Sequence, residues 1–228
     1  MRRVLAEPGA GCHRVVRVNA VGTEWFEDDM AMVRGLSLAA IVLPKAMPQS
    51  VASVEASPPL IALVETAQGL RLAYETASDP NVVALALGAV DLGLELGLEQ
   101  RPDGQEVLFA RSKLVLDSAA AGIRGPFDLV HVDVRDDEGL EAECRLARSL
   151  GFRGKFCIHP SQIDIANAVF DTGDEELERA RRIVEAYAEG VAEGRGVVAL
   201  DGEMIDLPVV ERARRLLADA KRSVFDAS

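Results

Sequence analysis

The chain has 228 residues, long enough for one substantial domain, and carries a net charge of −12 from 37 acids against 25 bases. That balance argues against nonspecific nucleic-acid binding and against an anionic membrane surface. No run of about 18 or more apolar residues is present, and the first residues lack a signal-peptide core, so a cytoplasmic protein is expected. Cys12, Cys144 and Cys157 form an odd set without CxxC spacing, which supports neither a disulfide framework nor a zinc cage and predicts buried small hydrophobes. A phosphorylated small ligand stays possible if a local basic pocket exists, the candidate bases being Arg2, Arg3, Arg14, Arg17, Lys45 and Arg124.

In chain order, His13–Ala20 alternates and reads as a strand with Arg17 and Asn19 near its end. A helical pattern follows through Trp25, Phe26, Met30 and Val33, then a strand at Ala39–Leu43 closed by Pro44 and Lys45. Ile61–Val64 and Val82–Leu87 are short, branched apolar runs of the kind found in buried parallel strands. Each ends close to a lone carboxylate, Glu65 or Asp91. If the two strands are neighbours, both acids emerge at the carboxyl edge of the sheet, where α/β proteins place ligands. Two hard oxygen donors there favour Mg²⁺ over zinc. The competing possibility is that each is only a helix cap or first-turn acid.

Gly104–Ala121 reads as a helix, and Asp128–Val134 alternates strictly, with Leu129, His131 and Asp133 on one face. Glu138–Leu150 is a helix and GKFCIHPSQI a strand ending at His159 and Pro160, where a buried, hydrogen-bonded histidine is expected. Six strands alternating with helices predict a parallel sheet with right-handed crossovers over residues 1–170. Residues 171–228 read as a helical extension, with a capping box at Thr172 and Glu175 and a solvated run at Glu178–Arg182.

The segments RVNAVGTEWFEDD, IVLPKA, LIALVETAQGL, ALGAVDLGLELG, HVDVRDDEGL, GKFCIHPSQI and LDGEMIDLP resemble, in order and wording, the citrate lyase β-subunit-like family of the HpcH/HpaI aldolase and citrate lyase superfamily. The resemblance implies a TIM-type (β/α)8 barrel with a C-terminal helical extension, assembled as a homo-oligomer, a trimer or a multiple of it. It implies a carbon–carbon lyase that cleaves or forms a short 3-hydroxyacyl-CoA such as citramalyl-CoA or malyl-CoA, giving an acyl-CoA and a 2-oxo acid. Mg²⁺ would be bound by Glu65 of the ETA motif and Asp91 of the GxxD motif. Arg17 would contact substrate and act in catalysis, with Glu65 also facing the substrate. Asp206 would be an acid/base group supplied by an adjacent subunit.

The chain departs from the family pattern in several places. The strands resembling LFVPG and DAVILDLEDAV lie before its first residue, so about six strands are expected where a barrel has eight. Val90 stands where the family has an acid, Met47 replaces the acid of PKxE, and Glu203 replaces a lysine. These departures motivate one alternative, a noncatalytic relative that binds CoA or metal; within the enzyme class, the other alternative is an aldolase acting on free 2-oxo acids, indifferent to CoA.

Overall fold

The computed structural model describes residues 12–54 and 58–220. Arg2 and Arg3, two of the candidate bases, lie outside the described residues. The chain divides into two compact units, Met1–Phe170 and Asp171–Ser228.

The first unit is built on six strands, β1 (Val15–Arg17), β2 (Ala40–Leu43), β3 (Leu60–Val64), β4 (Val82–Leu87), β5 (Phe127–Asp128) and β6 (Gly154–Lys155), hydrogen-bonded in sequence order. Every neighbouring pair is parallel. Parallel neighbours require a crossover, and helices supply each one, among them Phe26–Val33, Ala67–Arg71 with Ala73–Ala77, Leu108–Ala120 and Asp137–Leu150. All residues of β2 and β3 are buried, as expected for strands covered on both faces. The main core gathers Ile41, Leu43, Leu60, Leu85, Leu87 and Leu92 beneath the helices.

Pairing is dense from β1 to β4 and thins beyond it. β4 meets β5 only at Ala86 and Phe127, and β5 meets β6 at two positions. The strand expected over Asp128–Val134 therefore stops at Asp128, and Val132 and Val134 are exposed rather than packed. Strict alternation satisfies the side-chain period, but a strand also needs a neighbour's backbone groups, and here they are missing. The strands expected at His13–Ala20 and over GKFCIHPSQI shorten likewise to Val15–Arg17 and Gly154–Lys155.

Where the ladder thins, charge holds the elements together. Arg111 makes a two-pronged pair with Asp128, both bonds 2.9 Å, and a third bond of 3.0 Å to Glu143. Lys155 Nζ lies 3.2 Å from Asp128 and 2.7 Å from Glu143. Arg111, Asp128 and Lys155 have fully buried side chains. Two cations and two carboxylates thus neutralise one another, which is the condition under which buried charge is tolerated. His131 Nδ1 approaches Glu143 at 3.2 Å, and Gln162 bridges the His131 carbonyl and the Ile158 N–H. His131 therefore serves the frame of the sheet.

Other expectations are corrected locally. Cys144 is buried, with its thiol pushed up to about 11 by desolvation, but Cys157 is half-buried and Cys12 exposed. His159 is exposed, and its Nδ1 meets Ser161 Oγ at 2.8 Å at the start of the helix Ser161–Phe170. In the second unit the helix Asp174–Ala192 starts from Gly173 without a side-chain cap, so the Thr172/Glu175 box does not form; Asp174, Glu175 and Glu176 in the first turn complement the helix dipole instead. It packs with a hairpin, β7 (Val198–Leu200) and β8 (Glu203–Ile205), and with the helix Leu207–Asp219 around Ile183, Ile205 and Val210. In the run Glu178–Arg182, Arg179 pairs with Glu203 and Arg182 with Asp201, so that face is tied to the hairpin; Ala180 is buried. Among the described residues, no helix is long and apolar enough to cross a membrane.

The Arg111 and Lys155 cations, working against desolvation, hold the Glu143 carboxyl below its ordinary value of 4.5. A lowered folded value stabilises the fold at pH above the ordinary one, and that contribution is lost as pH falls through the folded value. Glu143→Gln should therefore flatten the loss of urea stability below pH 4.5; an unchanged acid limb in the variant contradicts this role.

A candidate metal and substrate site at the carboxyl edge of the sheet

β3 and β4 pair in parallel with Val64 opposite Leu87. Glu65 and Gly88 are the next residues of each strand, and the Gly88 N–H donates to the Val64 carbonyl at 2.9 Å. The register thus delivers Glu65 and the helix Ala89–Leu96, with Asp91 in its first turn, to one point of the edge. Glu65 is 4% exposed, whereas Asp91 is exposed to solvent. One carboxylate forms the floor of the site and the other its rim.

The two acids act on each other. Burial raises the Glu65 carboxyl above its ordinary value, the backbone N–H of Lys45 lowers it, and Asp91 raises it again, through its charge and at hydrogen-bonding range. Arg17, at the end of β1, lowers it through its positive charge. Two carboxylates this close repel unless a proton or a cation lies with them. Sequence spacing left open whether these acids were helix caps. Glu65 is not a cap: Thr66 caps the helix Ala67–Arg71, its Oγ1 accepting from Gly69 N at 2.9 Å. Asp91 is a first-turn acid by position but makes no cap bond; Gly88 is the N-cap.

Two features of the site had no clear sequence signal. The turn after β2 places Lys45 at φ 50°, a left-handed conformation unusual for lysine, and aims its N–H at Glu65 Oε1, 2.9 Å away. The Lys45 side chain itself is exposed. Gly88 leaves room for the acid, since a Cβ there would meet Glu65 Cβ at 2.5 Å and Oε2 at 2.9 Å. After Glu65, two helix-start donors are already engaged, the Gly69 N–H by Thr66 Oγ1 and the Ala67 N–H by Glu95 Oε2 at 3.0 Å.

Asn19 of the RVNA segment faces the crossover, its backbone and side-chain nitrogens both donating to Asp29 at 2.8 and 2.7 Å. This leaves Arg17 as the base of that motif at the edge. Asp206 belongs to the second unit. There it caps the helix Leu207–Asp219, accepting from Val209 N at 3.3 Å, and is half-buried.

The donor set fits a hard divalent cation. Glu65 and Asp91 offer only oxygen, Gly88 keeps the space beside Glu65 open, and a cation relieves their repulsion. Among the described residues, no three His, Cys, Asp or Glu side chains gather to enclose a metal. Such an ion would keep most of its water, as Mg²⁺ does.

Comparison with known proteins places the chain in a family. The HpcH/HpaI aldolase/citrate lyase family matches residues 1–160, and a carbon–carbon bond lyase family of the TIM-barrel fold matches residues 109–221. The chain is 38% identical to a (3S)-malyl-CoA thioesterase of Cereibacter sphaeroides, over 94% of this chain and 77% of that one. It is 37% identical to the citrate lyase β subunit of Escherichia coli K12, over 92% and 74%. The CitE protein of Mycobacterium tuberculosis, solved with magnesium, acetoacetate and coenzyme A, superposes with a TM-score of 0.75 at 36% identity, covering 91% of this chain and 78% of that one. A citrate lyase β subunit of M. tuberculosis, solved with oxaloacetate and magnesium, superposes with a TM-score of 0.66 at 36% identity over 75% of this chain and 79% of that one. The six parallel strands and their crossover helices are accordingly of TIM-barrel type, and the chain belongs to the HpcH/HpaI aldolase/citrate lyase family.

Proposed function

We propose that the chain is a Mg²⁺-dependent carbon–carbon lyase acting on a short 3-hydroxyacyl-CoA, of the citramalyl-CoA or malyl-CoA type. The observation that carries this reading is the convergence of buried Glu65 with Asp91 beside the charge of Arg17 at one sheet edge. Relatives solved with magnesium, coenzyme A and oxaloacetate support it.

Glu65 and Asp91 would hold the ion, Glu65 being kept in place by the Lys45 N–H and by the lack of a side chain at Gly88. Bound there, Mg²⁺ supplies Lewis-acid polarisation of the 2-oxo and carboxylate oxygens. Arg17 grips a substrate carboxylate through a planar fork that lysine cannot reproduce. Cleavage removes the hydroxyl proton, breaks the adjacent carbon–carbon bond and leaves a 2-oxo acid and an acyl-CoA enolate. The negative charge that develops on oxygen is what the site must stabilise. Asp206, contributed by a neighbouring subunit of a homo-oligomer, takes up that hydroxyl proton as the carbon–carbon bond breaks and delivers it to the enolate carbon.

A second reading is thioester hydrolysis, favoured by the similarity to a malyl-CoA thioesterase. The products separate the two. Hydrolysis releases a free CoA thiol, whereas the lyase leaves the thioester intact and releases a 2-oxo acid.

Glu65→Ala and Asp91→Ala are each expected to abolish Mg²⁺ binding in calorimetry and the Mg²⁺-dependent release of 2-oxo acid from citramalyl-CoA or malyl-CoA; full activity in both sinks the assignment. Gly88→Ala should displace Glu65, weakening Mg²⁺ binding by about tenfold and costing about 1–3 kcal/mol of stability. Asp206→Asn keeps a good helix cap, so it should lose turnover while its melting temperature and Mg²⁺ affinity stay at the parent values. Turnover at the parent rate in Asp206→Asn removes that residue from the mechanism.

A further inference from the structure

The helix Ala89–Leu96 carries Asp91 but is poorly anchored. It has eight residues, of which Leu92 alone is buried, while Val90 and Leu94 are 53% and 83% exposed. A helix this short has little stability of its own, and buried Leu92 with the small, half-buried Ala89 beside it on the core leaves its rotation loosely set. Something else must set the direction in which Asp91 points.

We propose that Glu95 is a positioning residue for the carboxylate pair, clamping the helix that bears Asp91 to the backbone that follows Glu65. Glu95 lies four residues after Asp91, so the two share a helix face. Its Oε2 accepts the Ala67 N–H at 3.0 Å, and Ala67 is two residues past Glu65. One charge-assisted bond thus links the two halves of the pair, and it satisfies a backbone donor at a helix start. With Leu92 as the pivot, this bond fixes the rotation of the helix. Without it, the helix turns about Leu92 and Asp91 swings away from Glu65.

This inference rests on the reading of Glu65 and Asp91 as the cation pair, and the test separates the two. Mg²⁺ affinity is measured by calorimetry on the intact protein and on Glu95→Ala, Glu95→Gln, Leu94→Ala and Asp91→Ala. Amide hydrogen exchange at Ala67 is followed in the same proteins without metal. Glu95→Ala should bind Mg²⁺ about tenfold more weakly and exchange faster at Ala67. Glu95→Gln, which keeps an acceptor oxygen but loses the charge, should restore most of both. Leu94→Ala, a change at an exposed position of the same helix, should match the parent. Equal weakening in Glu95→Ala and Glu95→Gln would mean that charge and not the clamp matters, and would overturn the inference. Parent-like affinity in Glu95→Ala, with binding lost in Asp91→Ala, overturns it while leaving the cation pair intact. No Mg²⁺ binding in the parent, or parent-like binding in Asp91→Ala, overturns the cation pair and the clamp together.

Discussion

The pairing of Val64 with Leu87 is the constraint on which the rest of the site depends. In a parallel ladder the residues that follow two paired positions leave the sheet together and on the same edge. A shift of one residue would turn the Glu65 side chain to the other face of the sheet and separate it from Asp91. The ladder is secured at this height by the Gly88 N–H on Val64 and the Ala46 N–H on Leu63, both backbone bonds that side-chain changes leave in place. Register, and not the acids alone, is what brings the candidate site together.

Holding a carboxylate buried beside another costs free energy, and the fold offsets that cost with local devices. The Lys45 N–H reaches Glu65 only because the turn after β2 accepts a left-handed backbone at a lysine. Gly88 yields the volume that the acid occupies. Arg17 brings a positive charge from two strands away. A site strained toward accepting a cation is a common way for a protein to store binding free energy.

The other end of the sheet solves a different problem. Strands β5 and β6 share few backbone bonds with their neighbours, and the buried network of Arg111, Asp128, Glu143 and Lys155 joins β5, β6 and the two helices beside them. Ion pairs of this kind add less to stability than an apolar core of equal volume, but they penalise any other arrangement. His131 and Gln162 extend the network toward the turn at His159 and serve the frame.

Much of the fold, and the candidate residues of the site, were legible without coordinates. Apolar runs ending in lone acids identified Glu65 and Asp91, and the alternation of strands with helical patterns predicted the parallel sheet, because burial and side-chain period are written residue by residue. Family motifs added Arg17 and Asp206. What only the tertiary structure decided is mostly non-local: that the chain leaves the sheet after Asp128, and that Cys157 and His159 are not buried; the choice of Thr66 over Glu65 as helix cap is a local contact that the sequence left open. The approach of Gly88 to Glu65, the Lys45 N–H and the link from Glu95 to Ala67 belong to the non-local group. These last three depend on atoms from segments about 20 to 30 residues apart meeting at a few ångströms, and no local pattern encodes such a distance.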